Sequence, residues 1–188
     1  IRIRLHQLYS LNKEPFGDWI LSHYHLKPGM RVLELGCGTG NMWHEPARWL
    51  PEGVELLLTD FSAGMLAKAQ EKFADLGNVK FCVGDVLGMN IPAESIDVVI
   101  CLNFFPHLHT RKEEFIRKMK SSLKNGGSLI IMHDISRAKD NSIHRDSSVV
   151  TEHRLPEAKL VGEMLKTCDY QNITAYEDDS LYFVKGFK

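Results

Sequence analysis

Five short apolar runs, spaced by helical patterns, constrain this chain more than anything else in it. Arg31–Cys37, Val54–Phe61, Val79–Asp85, Ile96–Asn103 and Ser128–His133 are near-continuous in apolar residues. Runs of that kind suit strands covered on both faces, as in a parallel sheet. Two amphipathic patterns fall between them. Ser62–Leu76 opens on an N-cap residue and places Met65, Leu66, Ala69 and Phe73 on one face. Thr110–Leu123 carries Phe115, Ile116, Met119 and Leu123 at the same spacing and is stopped by Asn125-Gly126-Gly127. Further on, Pro156–Cys168 reads as a helix. Asn172–Tyr176 and Leu181–Phe187 read as strands joined through Asp178-Asp179-Ser180, a link short enough for an antiparallel hairpin. The expectation is one α/β doubly wound sheet in a single domain spanning residues 1–188. Arg137–Leu155 is polar and charge-rich and is expected to be a lid or a plain surface loop.

Composition narrows the function. A net charge of −1 argues against a nucleic-acid partner held by overall charge, and 44% hydrophobic residues argue against disorder. No run reaches the roughly 18 apolar residues that a membrane helix needs. The four cysteines, Cys37, Cys82, Cys101 and Cys168, form no CxxC pair and read as free thiols in a cytoplasmic protein. Expected partners are therefore neither nucleic acid nor membrane but a small molecule, with the chain a monomer or homodimer.

The first strand leads into Val32–Gly40, VLELGCGTG, with glycine at 36, 38 and 40. Glycines after a strand let the backbone turn and let a ligand touch the main chain. A dinucleotide fingerprint wants glycine at 41, where Asn41 stands, and no Lys or Arg occurs from Val32 to Ala47. Glu34 instead precedes the glycines and suits a ligand carrying positive charge. Asp60 ends the second run, where a carboxylate accepts ribose hydroxyls, and Asp85 ends the third, where one accepts an adenine amino group. Three carboxylates at successive strand ends point to an adenosyl ligand that is cationic rather than phosphorylated.

VLELGCGTG, LLTDFSAGML, GDV, IDVVICLNFFPHL and LKNGGSLIIMH together resemble the class I S-adenosylmethionine-dependent methyltransferases, small-molecule types 11 and 25, over Arg31–His133. The resemblance implies a Rossmann-like seven-stranded sheet in the order 3-2-1-4-5-7-6, strand 7 antiparallel. It implies S-adenosyl-L-methionine as cofactor, S-adenosyl-L-homocysteine as product and a small-molecule methyl acceptor. Glu34, Gly36, Cys37, Gly38 and Gly40 match the loop around the methionine part. Asp60 matches the ribose acid, Phe61 the neighbour that packs on adenine, Met65 a further cofactor-binding position, and Asp85 with Val86 the adenine-recognition pair. Leu102 and Asn103 match the fourth strand end, facing the sulfonium. Residues 1–30 match a helical cover that brings Tyr9 over the cofactor.

The acceptor side is read from position. His107, Asn103 and His133 are the catalytic candidates, since all three stand at strand ends and imidazole titrates near neutrality. Phe104, Trp43 and Phe16 are the substrate-wall candidates, with Trp19 and Phe105 near the same mouth. No metal is expected. A cluster of His107, His109, His133 and His144 has suitable ligand types but lacks the helical HExxH spacing. Other readings are a cofactor-binding module without turnover, which acts as a regulator, and an aminopropyltransferase, for which Asn103 lacks an acidic surround. A nicotinamide oxidoreductase is disfavoured by Glu34 and Asn41.

Overall fold

Strands covered on both faces pair side by side, and here five such strands lie in one seven-stranded sheet whose edge strands, Val79–Val83 and Gln171–Glu177, are largely uncovered. The computed structural model describes residues 16–43, 50–145 and 154–188. The strands are β1 (Arg31–Leu35), β2 (Glu55–Asp60), β3 (Val79–Val83), β4 (Ile96–Leu102), β5 (Leu123–His133), β6 (Gln171–Glu177) and β7 (Tyr182–Phe187). Their order is β3-β2-β1-β4-β5-β7-β6. The first five pair in parallel, and β7 runs antiparallel to both β5 and β6. That is the expected topology, including the reversed seventh strand.

Side chains alternate between two core layers. On one side Leu33, Val99 and Ile131 meet α3 (Lys112–Ser122) and α5 (Ala158–Thr167), through Phe115, Met119, Val161 and Leu165. On the other, Val32, Leu58, Ile100 and Met132 meet α1 (Phe16–Ser22) and α2 (Ala63–Lys72), through Ile20, Leu66, Ala69 and Phe73. Ser62 caps α2 as expected, its Oγ accepting from the Met65 amide at 3.3 Å. Met65 departs from the expected apolar face and is 44% exposed.

Three elements differ from the sequence expectation. The helix expected from Thr110 starts at Lys112, because Phe105–Arg111 is wound into a tight 3-10 segment kinked at His109 (φ 49°, ψ −123°). Strand β5 starts at Leu123 rather than Ser128, directly after α3 ends at Ser122, so Asn125-Gly126-Gly127 falls within β5, where the register with β4 shifts. A Cβ on Gly127 would sit 2.9 Å from the Lys124 carbonyl oxygen and 3.0 Å from that of Asp97, so only glycine fits. The segment expected to be irregular opens with α4 (Arg137–Arg145). Asn141 then ties it to its far end, donating from Nδ2 to the Leu155 carbonyl at 3.1 Å and accepting the Leu155 amide at 2.8 Å. Cys37, Cys101 and Cys168 are buried, Cys82 is half-buried, and none of the four is in a disulfide.

Candidate active site

A cavity of about 990 Å³ opens at the carboxyl ends of β1, β2, β3 and β4. Strand order reverses between β1 and β4, and open α/β sheets bind ligands at such a point. Three glycines carry the chain out of β1 with left-handed backbone: Gly36 (φ 68°), Gly38 (φ 59°) and Gly40 (φ 66°). Each has a different reason. A Cβ on Gly36 would lie 2.5 Å from the Phe104 ring, and one on Gly40 would lie 2.5 Å from Phe73. Gly38 has nothing within 4 Å of that position and leaves its backbone open. Gly36, Cys37 and Gly38 line the cavity; Gly40 does not, and instead seats the loop on α2.

Asp60 at the end of β2 holds this loop. Its Oδ2 accepts the Gly38 amide at 2.8 Å and its Oδ1 accepts the Ser62 amide at 2.8 Å. Each oxygen keeps a further lone pair. Glu34 lines the cavity from within β1 and is 2% exposed. Its Oε2 accepts the Trp43 indole N–H at 2.6 Å. The field of this carboxylate is felt by its neighbours. Burial first, then Glu34, then Asp134 push the Tyr24 hydroxyl well above its ordinary range, and burial with Glu34 pushes the Cys101 thiol up.

Phe61 is 79% exposed and stands at the rim beside Met65. Asp85 and Val86 line the wall below them. Asp85 also takes a turn role: its Oδ1 accepts the Leu87 amide at 3.1 Å, and Arg111 Nη1 lies 3.8 Å from Oδ2. On the far side Leu102, Asn103, Phe104, His107 and His109 line the cavity. Asn103 leaves β4 in the left-handed region (φ 53°), its amide still bonded to the Met132 carbonyl at 2.9 Å.

Several expectations fail here. Trp43 is fully buried in the core beneath the loop, where its indole serves Glu34, so it forms no substrate wall. Phe105 is likewise buried in the core, and Trp19 packs edge-on against His23 at 5.4 Å, away from the cavity. His133 stands apart from the cavity. It is fully buried, its Nδ1 lies 3.2 Å from Asp140 Oδ1, its ring packs edge-on to Tyr182, and it does not line the cavity. That also breaks the four-histidine cluster, since His107 and His109 face the cavity and His133 the core. Among the described residues no group of three or more His, Cys, Asp or Glu is placed to hold a metal ion. Tyr9 and the side chains of Phe16 and His144 lie outside the described residues.

From α2 the sequence reading takes Met65 alone for the site. Lys68 lines the cavity, and Lys72 Nζ braces the loop by donating to the Thr39 carbonyl at 2.9 Å and to Asn41 Oδ1. The cations absent from the loop itself are therefore supplied by the neighbouring helix. Met65, Lys68 and Lys72 at i, i+3 and i+7 carry the signal, since they share one helix face. Asp134, next to His133 at the end of β5, is 5% exposed and stands behind Asn103.

Such a sheet, with its cleft at the point of reversal, defines an open doubly wound, Rossmann-like ligand-binding domain. Residues 32–127 match the family model described as Methyltransferase domain, and the chain belongs to that family. It is 34% identical over 110 residues to the ubiquinone/menaquinone biosynthesis C-methyltransferase UbiE of Azotobacter vinelandii, covering 57% of this chain and 43% of that protein. Against the protein of the same name from Vibrio vulnificus it is 28% identical over 142 residues, covering 74% of this chain and 53% of the other. The chain thus spans about half the length of the curated relatives it matches. A SAM-dependent methyltransferase from Aquifex aeolicus has the same fold, with a TM-score of 0.70 at 20% identity over 99% of this chain and 97% of that one.

Proposed function

We propose that this chain is an S-adenosyl-L-methionine-dependent methyltransferase domain acting on a small-molecule acceptor. The observation that carries the reading is Asp60, which pins the open glycine loop through Gly38 while keeping lone pairs beside the exposed Phe61 ring. The donor set fits the cofactor. Asp60 would accept the ribose hydroxyls, Phe61 and Met65 would cover the adenine, and Asp85 with Val86 would meet its edge. Gly36 and Gly38 would let the methionine part lie against the main chain. Glu34, bonded through Oε2 to Trp43, would act on a cationic ligand through its field.

A sulfonium supplies a methyl that is already activated, so the protein's work is alignment and exclusion of water. Phe104 and Leu108 form the apolar wall on the acceptor side, and Asn103 stands at the junction of the two halves. His107 is exposed at the cavity and is the residue positioned to take a proton from an acceptor that holds one. In this reading residues 1–188 form one domain. Free cysteines fit a cytoplasmic setting, with the chain a monomer or homodimer.

Calorimetric titration with S-adenosylmethionine, S-adenosylhomocysteine and NAD tests the reading. Micromolar binding of the first two without NAD is the expected result. Binding of NAD alone, or of none, overturns it.

A further inference from the structure

Behind the cavity wall, Asn103 and Asp134 grip each other at both ends of one carboxamide. Asn103 Nδ2 donates to Asp134 Oδ1 at 2.6 Å, and the Asp134 amide donates to Asn103 Oδ1 at 3.3 Å. Neither end of the carboxamide is interchangeable in this arrangement, because a carboxylate takes only the NH2 end and a backbone N–H takes only the carbonyl end. The left-handed backbone of Asn103 (φ 53°) is the cost of turning the side chain back toward the end of β5.

The location gives this pair a consequence. Asn103 lines the cavity, whereas Asp134 does not and is 5% exposed. A carboxylate therefore stands one side chain behind the wall, in a setting where solvent screens little. Glu34, 2% exposed in β1 on the other side of β4, adds a second buried carboxylate, so β4 runs between two strands that each carry one toward the cavity end. Lys68, the cavity's one lysine among the described residues, comes from α2 at the opposite rim.

We infer that Asp134 is a positioning residue which, by holding the Asn103 carboxamide and placing a buried charge behind it, makes the cavity favour a cationic sulfonium over the neutral thioether left after methyl transfer. The inference rests on the proposed cofactor and adds a device to it. The charge would add to the hold on the reactant and add little to the hold on the product, for an electrostatic reason. Loss of the Asp134 charge should then act on one ligand of the pair and spare the other. A merely structural role would weaken both alike.

The test is the ratio of two dissociation constants. Asp134→Asn keeps the shape and an acceptor for Asn103 Nδ2 while removing the charge. Asp134→Ser, smaller and neutral, serves where the first variant does not fold, and thermal unfolding checks both. Calorimetry at neutral pH should show S-adenosylmethionine weakened roughly tenfold, the scale of one partly screened charge, with S-adenosylhomocysteine changed less than about twofold. An equal loss for both ligands, or no loss for either, overturns the inference while leaving the cofactor reading in place. A failure of the unmodified protein to bind either ligand overturns both.

Discussion

Asp60 illustrates how one side chain is asked to do two things. Its carboxylate binds the Gly38 and Ser62 amides, and in the proposed function it also receives the ribose. Asp60→Ala should weaken S-adenosylmethionine binding by about 1.5–3 kcal/mol, through lost charge-assisted bonds and an unpinned loop. Unchanged affinity by calorimetry would put Asp60 outside the site. Trp43 has a structural counterpart of that role. Its indole N–H answers a carboxylate that is 2% exposed, so Trp43→Phe leaves Glu34 short of a donor. Urea unfolding should show a loss of about 1–3 kcal/mol. A midpoint equal to that of the unmodified protein would mean that the bond contributes nothing. These two residues also mark what the sequence could and could not reveal. Asp60 was legible because a polar residue ending an apolar strand must face the strand's open end. Trp43 was misplaced because nearness to the glycine loop in sequence does not say which way a short 3-10 turn (Asn41–Trp43) aims its rings.

At the scale of elements, the hairpin of β6 and β7 is closed by Asp178. Its Oδ1 accepts the Ser180 amide at 2.7 Å, the Ser180 hydroxyl at 2.8 Å and the Leu181 amide at 2.9 Å. Bonds from Ser180 foremost hold its carboxyl below the usual carboxylate range. A group depressed on folding stabilises the fold above its unfolded pKa and loses that contribution as pH falls through its folded value. Stability should therefore decline with acid, and Asp178→Asn should flatten that part of the curve below about pH 4. Identical acid limbs for the two proteins, followed by circular dichroism, would remove Asp178 from the account. The hairpin itself was visible in the sequence, as were the five parallel strands, because apolar runs and short polar links are local signals. The start of β5 was not. Asn125-Gly126-Gly127 has the composition of a helix stop, and it takes the pairing of Leu123 with Ile96 and the bonds of Gly126 and Gly127 to Lys188 to show that the strand has already begun. His133 failed for a related reason. It shares a face with Leu129 and Ile131, but a strand buried on both sides leaves no polar alternation from which to read that face.

Over the whole molecule, one sheet serves as the shared wall of two apolar layers. Phe115 is buried in one layer and Leu66 in the other. A sheet that both layers need should unfold with them as a unit. Phe115→Ala and Leu66→Ala should each lower stability by about 2–5 kcal/mol and keep one cooperative transition. Two separate transitions by fluorescence and circular dichroism would show that the layers melt independently. Polarity is divided along the sheet rather than across it. The carboxyl ends of β1 to β4 carry the cavity, while Lys188 sits at the other end. There its backbone is tied to Gly126 and Gly127, and its Nζ donates to the Leu123 carbonyl at 2.7 Å. A bead or sensor surface coupled through residue 188 would thus hold the molecule by its foot, with the carboxyl ends of β1 to β4 turned outward.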